Sequence, residues 1–492
     1  MMRKSRLILV CLLMIITILG PVGKASAETT NFYTYSYDIF GIELESPDAY
    51  TAEDILLGSS LGIGDFKNPT GLFVKDELIY IMDTDNNRIV VVDKSFQLVK
   101  EITGVIIDGA ESTLLKPQDI FVADNDDMYI CDTGNHRILH TDKDLNIIKI
   151  YTKPQEETLK SDADFIPKKC VVDKAGRLYL LAGNVNKGFM EFDANGEFTA
   201  YVGANPVKAT LFQVIQKRLM TKEQRSRMIS FVPTEYSNIA IDQENFLYAT
   251  TTTFNVGDLR NGNIKPIRKL NSLGEDILVR NGYEIPMGDV YFGTGGAISG
   301  SSKFEDITAL ENDTYFGIDR VRGRVFGYDF QGNLLYAFGG VGNKMGYFLY
   351  PVAIEHLGTD ILVLDNRASS LTRFTLTEYG SLINKGLALY KEGRYEESAD
   401  YWKKVLHLNG NYDLAYIGIG RALLRQGHYE EAMQYFESKR DFNNYSKAFA
   451  EYRKEWVEEH IGFLIGGFFV LLLLPRFIKI IKRLIKGGAN KA

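Results

Sequence analysis

The feature that most constrains this chain is a repeat. Pro69-x-Gly71-Leu72-Phe73-Val74 leads through a turn to Ile79-Tyr80-Ile81-Met82-Asp83, and Pro117-x-Asp119-Ile120-Phe121-Val122 leads in the same way to Met128-Tyr129-Ile130-Cys131-Asp132. A looser third copy opens at Pro167 and runs through Cys170-Val171-Val172-Asp173, Leu178-Tyr179-Leu180 and Phe189-Met190-Glu191-Phe192-Asp193. Short apolar runs alternate with turn residues in every copy. Units of about 50 residues built this way stack as repeated supersecondary structures, each needing its neighbours to bury its faces.

Three weaker copies follow. Pro233 precedes Asn238–Asp242 and Phe246–Ala249, Phe304–Ile307 precedes Tyr315–Asp319 and Gly323–Asp329, and Pro351–Ile354 precedes Asp360–Asp365 and Leu371–Phe374. Each copy reads as strand, turn, strand, tight Asx or Gly turn, strand, then a returning fourth segment. The 45 glycines, 28 tyrosines and 29 phenylalanines suit such turn-rich β structure. The fold expected over residues 47–376 is therefore mainly β, a six-bladed β-propeller. The last copy reaches only three strands before helical sequence begins near Glu378, so Tyr50–Leu57 is expected to complete it and remove an open edge. An extension, 28–46, precedes this strand, and residues 31–46 are expected to pack outside the last blade or stay extended. Two interruptions are read as an amphipathic helical insert at 204–230 and a long loop at 251–302 that contains a strand-like Ile264–Leu270. The glycines from Gly293 to Gly300 lack the Lys-Ser/Thr ending of a phosphate loop.

Asp132-Thr133-Gly134-Asn135-His136-Arg137-Ile138 and Asp83-Thr84-Asp85-Asn86-Asn87-Arg88-Ile89 resemble the signature strand of the NHL-repeat family. The resemblance covers roughly residues 60–376 and implies the propeller fold. Read physically, the repeated motif is structural. Asp83 and Arg88, like Asp132 and Arg137, can meet across the turn, with Asn87 and Asn135 among the turn residues and Gly or Asn supplying a left-handed position.

From Leu382 the period changes. Gly386, Gly393, Tyr395, Ser398 and Trp402 recur 34 residues later as Gly420, Gly427, Tyr429, Ala432 and Phe436. This resembles tetratricopeptide repeats and predicts a short α-helical array over 378–459, with Tyr445–Glu459 as a capping helix. Such an array serves either as a shallow peptide groove or as a rigid spacer.

The two ends carry membrane signals. Arg3, Lys4 and Arg6 precede an apolar run from Leu7 to Leu19 and a small-x-small site at Ala25-Ser26-Ala27, the order of a signal peptide over 1–27. Ile461–Leu474 is uncharged and is followed by Pro475, Arg476 and Lys479. With Trp456 before it, the segment 460–481 is expected to be one transmembrane helix that Pro475 helps to end. A basic cytoplasmic tail, 482–492, would follow. Between the signal and Arg476 there are 46 Lys and Arg against 63 Asp and Glu, a formal −17, which disfavours nucleic acid as a partner.

Beyond the signal the chain holds Cys131 and Cys170, read as buried small hydrophobes with a bridge between adjacent blades left open. Three of six histidines lie in the propeller, His136, His140 and His356, the last read as a turn residue. They assemble no zinc or copper set. Asp119, Asp173, Asp242 and Asp306 stand near inner strands as candidate channel-lining residues; no cofactor is expected, and calcium is the one ion they leave open. The primary reading is accordingly non-enzymatic: a membrane-anchored extracytoplasmic binding or assembly protein whose partners are envelope proteins, carbohydrate and the lipid bilayer. The alternative is a metal-dependent propeller hydrolase or lactonase acting on sugar-derived substrates.

Overall fold

Runs rich in Val, Ile, Tyr and Phe become strands because such side chains fill both faces of a sheet that is covered on both sides. The computed structural model describes residues 33–155, 164–204, 235–254, 256–282, 286–290 and 300–488. The signal segment, residues 205–230 of the expected helical insert and most of the Gly293–Gly300 run therefore lie outside the described residues. Two units are distinguished, Met1–Tyr33 and Thr34–Ala492, and everything below concerns the second.

Six antiparallel sheets form a six-bladed β-propeller, with inner strands Gly71–Lys75, Pro117–Val122, Ile166–Val172, Asn238–Ile241, Phe304–Ala309 and Pro351–Leu357. Blades one, two and three each have four strands in chain order. In blade six, Tyr50–Leu57 lies antiparallel along Ser370–Leu376, so the first and last parts of the ring share one sheet. Apolar clusters fill the gaps between blades: Leu72, Ile79 and Val90 meet Ala353 and Leu362, and Met82 and Val91 meet Ile120 and Ile130.

One segment differs from expectation. Residues 35–45 do not cover blade six. Tyr35–Tyr37 pairs with Leu334–Gly339 at the outer edge of blade five, and Glu43–Glu45 pairs with Tyr35–Tyr37, making a six-stranded sheet. The Tyr35 hydroxyl, buried, donates to Asp289 Oδ1 at 2.7 Å and holds this clasp. Within 251–302, Val256–Arg260 is a short helix, and the strand-like run is the strand Ile267–Leu270, the third described strand of blade four.

The Asp motif stitches blades together. Asp132 Oδ2 accepts from Arg137 Nε at 2.7 Å and Asn135 Nδ2 at 2.8 Å, while Oδ1 accepts from Leu115 N at 2.7 Å. Asp83 repeats this with Arg88, Asn86 and Lys67 N. The amide in the first copy is thus Asn86. Asn87 takes the left-handed position instead (φ 55°), as His136 does in the second copy (φ 56°). Gly134 is needed for space, since a Cβ there would meet Leu115 O at 2.7 Å. The Thr of each motif reaches onward, Thr84 Oγ1 to Pro117 O at 2.8 Å and Thr133 Oγ1 to Pro167 O at 2.6 Å.

Helices Glu378–Lys391, Tyr395–Leu408, Asp413–Gln426 and Tyr429–Ser438 form a tetratricopeptide-like array, with Trp402 and Phe436 buried between helices. The array is docked on the propeller rim. Tyr379, Ile383, Trp402 and Tyr412 share one core with Phe316, Tyr336 and Phe338 of blade five and Ile354 and Phe374 of blade six. Tyr412 donates from its buried hydroxyl to Leu335 O at 2.8 Å. Tyr412→Phe is expected to cost about 1–2 kcal/mol, because it leaves that carbonyl unpaired in the interface; urea unfolding of the detergent-solubilised chain measures it, and no loss would mean the hydroxyl contributes nothing to docking.

The expected capping helix and membrane helix are one element. Phe442–Gly488 is continuous, about 70 Å long at 1.5 Å per residue, and Pro475 lies inside it without ending it. Proline removes one backbone hydrogen bond, a loss that membrane-spanning helices tolerate. By length and composition the stretch Phe442–Arg483 can cross a membrane once, leaving a large N-terminal domain on one side.

Candidate active site in the propeller channel

The blade repeat places one residue from each inner strand at the same level of the central channel. Two positions beyond the blade-opening residue stand Gly71, Asp119, Lys169, Asp306 and Ala353, and Asn238, the first strand residue of blade four, reaches the same level beside Asp306. Above this level the channel widens into a cavity of about 760 Å³. Asp119, Asp173, Asp242 and Asp306 all line it, together with Lys169, Glu355, His356, Phe73 and Phe121.

The lower level is a charged crossbar. Lys169 Nζ lies 3.3 Å from Asp119 Oδ1 in blade two and 4.0 Å from Asp306 Oδ2 in blade five, on opposite sides of the ring. Asp119 Oδ2 accepts from Cys170 N at 2.9 Å, and Asp306 Oδ2 accepts from Ile354 N at 2.9 Å, so each carboxylate also ties its blade to the next. Asn238 Nδ2 donates to Asp306 Oδ1. One ammonium cannot offset the burial of two carboxylates. Burial pushes the Asp119 carboxyl up to about 6 and the Asp306 carboxyl up to about 7, against the opposing pull of Lys169. Burial works against the Lys169 ammonium, but Asp119, Asp306 and Glu355 outweigh it and raise its pKa.

A second polar group lies on blades five and six. Thr308 Oγ1 is 2.9 Å from Glu355 Oε2 and 2.8 Å from His356 Nδ1. His356 belongs to the inner strand Pro351–Leu357, which corrects its reading as a turn residue. Phe73 and Phe121, 5.3 Å apart between ring centres, supply an apolar wall.

The other two aspartates serve turns at the wider end. Asp173 accepts from Ala175 N, Arg177 N and Arg177 Nε, and Asp242 Oδ1 accepts from Glu244 N and Phe246 N at 3.0 and 2.8 Å. Among the described residues these four carboxylates do not gather into one cation site: Asp119 and Asp306 share Lys169, Asp173 pairs with Arg177 and Asp242 with Lys269. Two other groups bring donors within 4.8 Å of one another: Asp242, Glu244 and Asp313 at the mouth, and Asp119, Cys131 and Cys170 in the wall. The first is all oxygen and suits a hard divalent ion. Lys269 Nζ lies 2.8 Å from Asp242 Oδ2 and 3.9 Å from Asp313 Oδ1, so an ion enters by displacing it.

The expectation that the chain is not an enzyme rested on finding no convergent set of functional groups. Side chains from blades two to six do converge, with one carboxyl tuned to neutrality and two groups able to share an ion, and that expectation is overturned. Sequence reasoning missed Lys169, Asn238, Glu355 and His356. The register signal for Lys169 was present, because Pro167-x-Lys169 matches Pro117-x-Asp119.

Residues 389–438 match the tetratricopeptide repeat family. No curated protein matches the chain. Among solved structures, virginiamycin B lyase from Staphylococcus aureus is similar at 12% identity over 67% of this chain and 100% of that one, with a TM-score of 0.40. A streptogramin B lyase gives 13% over 70% and 98%, with a TM-score of 0.38. A protein of unknown function from Bacteroides thetaiotaomicron gives 12% over 63% and 70%, with a TM-score of 0.39.

Proposed function

We propose that this chain is a membrane-anchored extracytoplasmic enzyme of the hydrolase or lyase class that acts in the propeller channel on a small, sugar-derived substrate. The observation that carries this reading is Asp306, a buried carboxyl raised to about 7 at the floor of a cavity large enough for such a molecule. A general acid or base works best when its pKa lies near the working pH, and burial beside a partly compensating cation is how proteins tune a carboxyl there. Asp306 is the group that takes or returns a proton. Asn238 and Ile354 N fix its orientation, and the Lys169 ammonium stabilises negative charge developing on a substrate oxygen. Glu355, His356 and Thr308 bind hydroxyls, while Phe73 and Phe121 meet the apolar face of a sugar ring.

A divalent cation held by Asp242, Glu244 and Asp313 would polarise a substrate oxygen at the mouth. We read the propeller as an NHL-type ring. A cleaved signal would place it outside the membrane, and the Lys and Arg after Leu474 would place the C-terminus in the cytoplasm.

The test is a panel of sugar lactones and glycosides against the detergent-solubilised full chain. Activity should rise or fall with a single inflection near pH 7, drop about 100-fold or more in Asp306→Asn, and weaken with a chelator. Full activity in Asp306→Asn would remove the reading, and indifference to the chelator would remove the cation from it.

A further inference from the structure

Cys131 and Cys170 lie on adjacent blades, on Met128–Asp132 and Ile166–Val172, and both are free and buried. Asp119 joins them from two directions. It pairs with Cys131 across the strands of blade two, and its Oδ2 accepts from Cys170 N of blade three at 2.9 Å. Both thiol sulfurs and a carboxylate oxygen lie within 4.8 Å of one another. A fourth donor is at hand, since Cys170 Sγ lies 3.6 Å from the carbonyl oxygen of Tyr129.

We propose that Cys131, Cys170, Asp119 and the Tyr129 carbonyl form a closed site for one divalent cation of zinc type that staples blades two and three. Two sulfurs and two oxygens suit a borderline-soft, four-coordinate ion, whose ligands sit roughly 3.5 Å apart at bond lengths of about 2.0–2.3 Å. The three side-chain donors, within 4.8 Å of one another, close to that spacing by side-chain rotation. Charge also balances: with both thiols deprotonated, two thiolates and the Asp119 carboxylate carry three negative charges, which the ion and Lys169, 3.3 Å from Asp119, cancel. Asp119 and Cys170 both border the channel cavity, which gives the ion a route in. The site shares Lys169 with the crossbar but takes no ligand from Asp306 or from the oxygen-only group at the mouth.

The experiment uses the full chain in detergent, first as purified for metal and thiol content, then stripped and titrated with cobalt(II). The expected result is one equivalent of zinc or bound cobalt with intense near-ultraviolet thiolate-to-cobalt absorption. That absorption disappears in Cys131→Ser and in Cys170→Ser, and chelation lowers the melting temperature of the unaltered chain. Cobalt bound at Asp242, Glu244 and Asp313 gives no thiolate band, so binding without that band overturns the proposal. Isolation of the native chain with Cys131 and Cys170 joined as a disulfide overturns it too. The unaltered chain decides both points even if the variants fail to fold.

Discussion

Asp132→Ala is expected to destabilise the propeller by about 3–5 kcal/mol, because it removes one partner of a nearly buried ion pair and strands the other. Asp132 is fully buried, and the Arg137 side chain keeps only 17% of its exposure. The carboxylate also accepts from Asn135 Nδ2 and from Leu115 N, the latter in the connection that feeds the inner strand of the same blade. Loss of the carboxylate therefore frees a turn, an arginine and the lead-in to Pro117 together. Urea unfolding of the full chain in detergent measures the effect. A loss below about 1 kcal/mol, the range of an exposed pair, would mean that the motif is decoration rather than a staple. Arg137→Ala should cost less, since the remaining carboxylate keeps two donors.

That motif was legible because it is local: donor and acceptor lie within five residues, and two copies repeat in register. The same geometry recurs where the signature has decayed. Asp319 accepts from Lys303 N and Asp365 from Leu349 N, each standing where Asp132 stands in its own blade. Blade five also keeps the arginine position, with Arg324 opposite Asp319, but Ser370 stands there in blade six, and neither copy keeps the Thr and Asn that would have announced the role. The blade-five clasp was not legible at all. Tyr35 and Ala337 are about 300 residues apart, and their pairing depends on an outer edge whose exposure is set by the closed ring.

The channel was legible in half. Asp119 and Asp306 announced themselves as equal positions in two copies, yet the meaning of that equality depends on what fills the position in the others. Lys169 in the third copy turns two repelling carboxylates into a crossbar, and Asn238 in the fourth orients one of them. Asp173 and Asp242 were drawn in by residue type, although they sit four positions further along the chain, just past the ends of their inner strands, and chiefly cap turns. A rise of about 3.3 Å per residue along the inner strand places such residues at a different level from Asp119. The continuous last helix was obscured for another reason. Pro475 reads as a stop by local rules, which assume water as the medium that receives a freed carbonyl.

The crossbar predicts a pH signature in stability. Asp306 has its carboxyl raised from about 4 in the unfolded chain to about 7 when folded. A carboxyl raised on folding holds its proton more tightly in the native state, so its contribution is fully present below about pH 4 and is lost as pH rises through 7. The charged groups that act on it are Lys169 and Glu355, with Asp119 on the far side of Lys169. Lys169→Met removes the one cation among them, and the remaining carboxyls must then either ionise without it or stay protonated. The variant should lose about 3–5 kcal/mol at pH 8, where ionisation is forced. At pH 5 the loss should be markedly smaller, because protonation relieves the unpaired charge. Urea midpoints of the detergent-solubilised chain at the two pH values decide the matter. Equal losses would show that the charge of Lys169 does not answer to these carboxyls. In an Asp306→Asn background the pH 8 loss should shrink, since one of the two carboxylates that Lys169 answers to is gone.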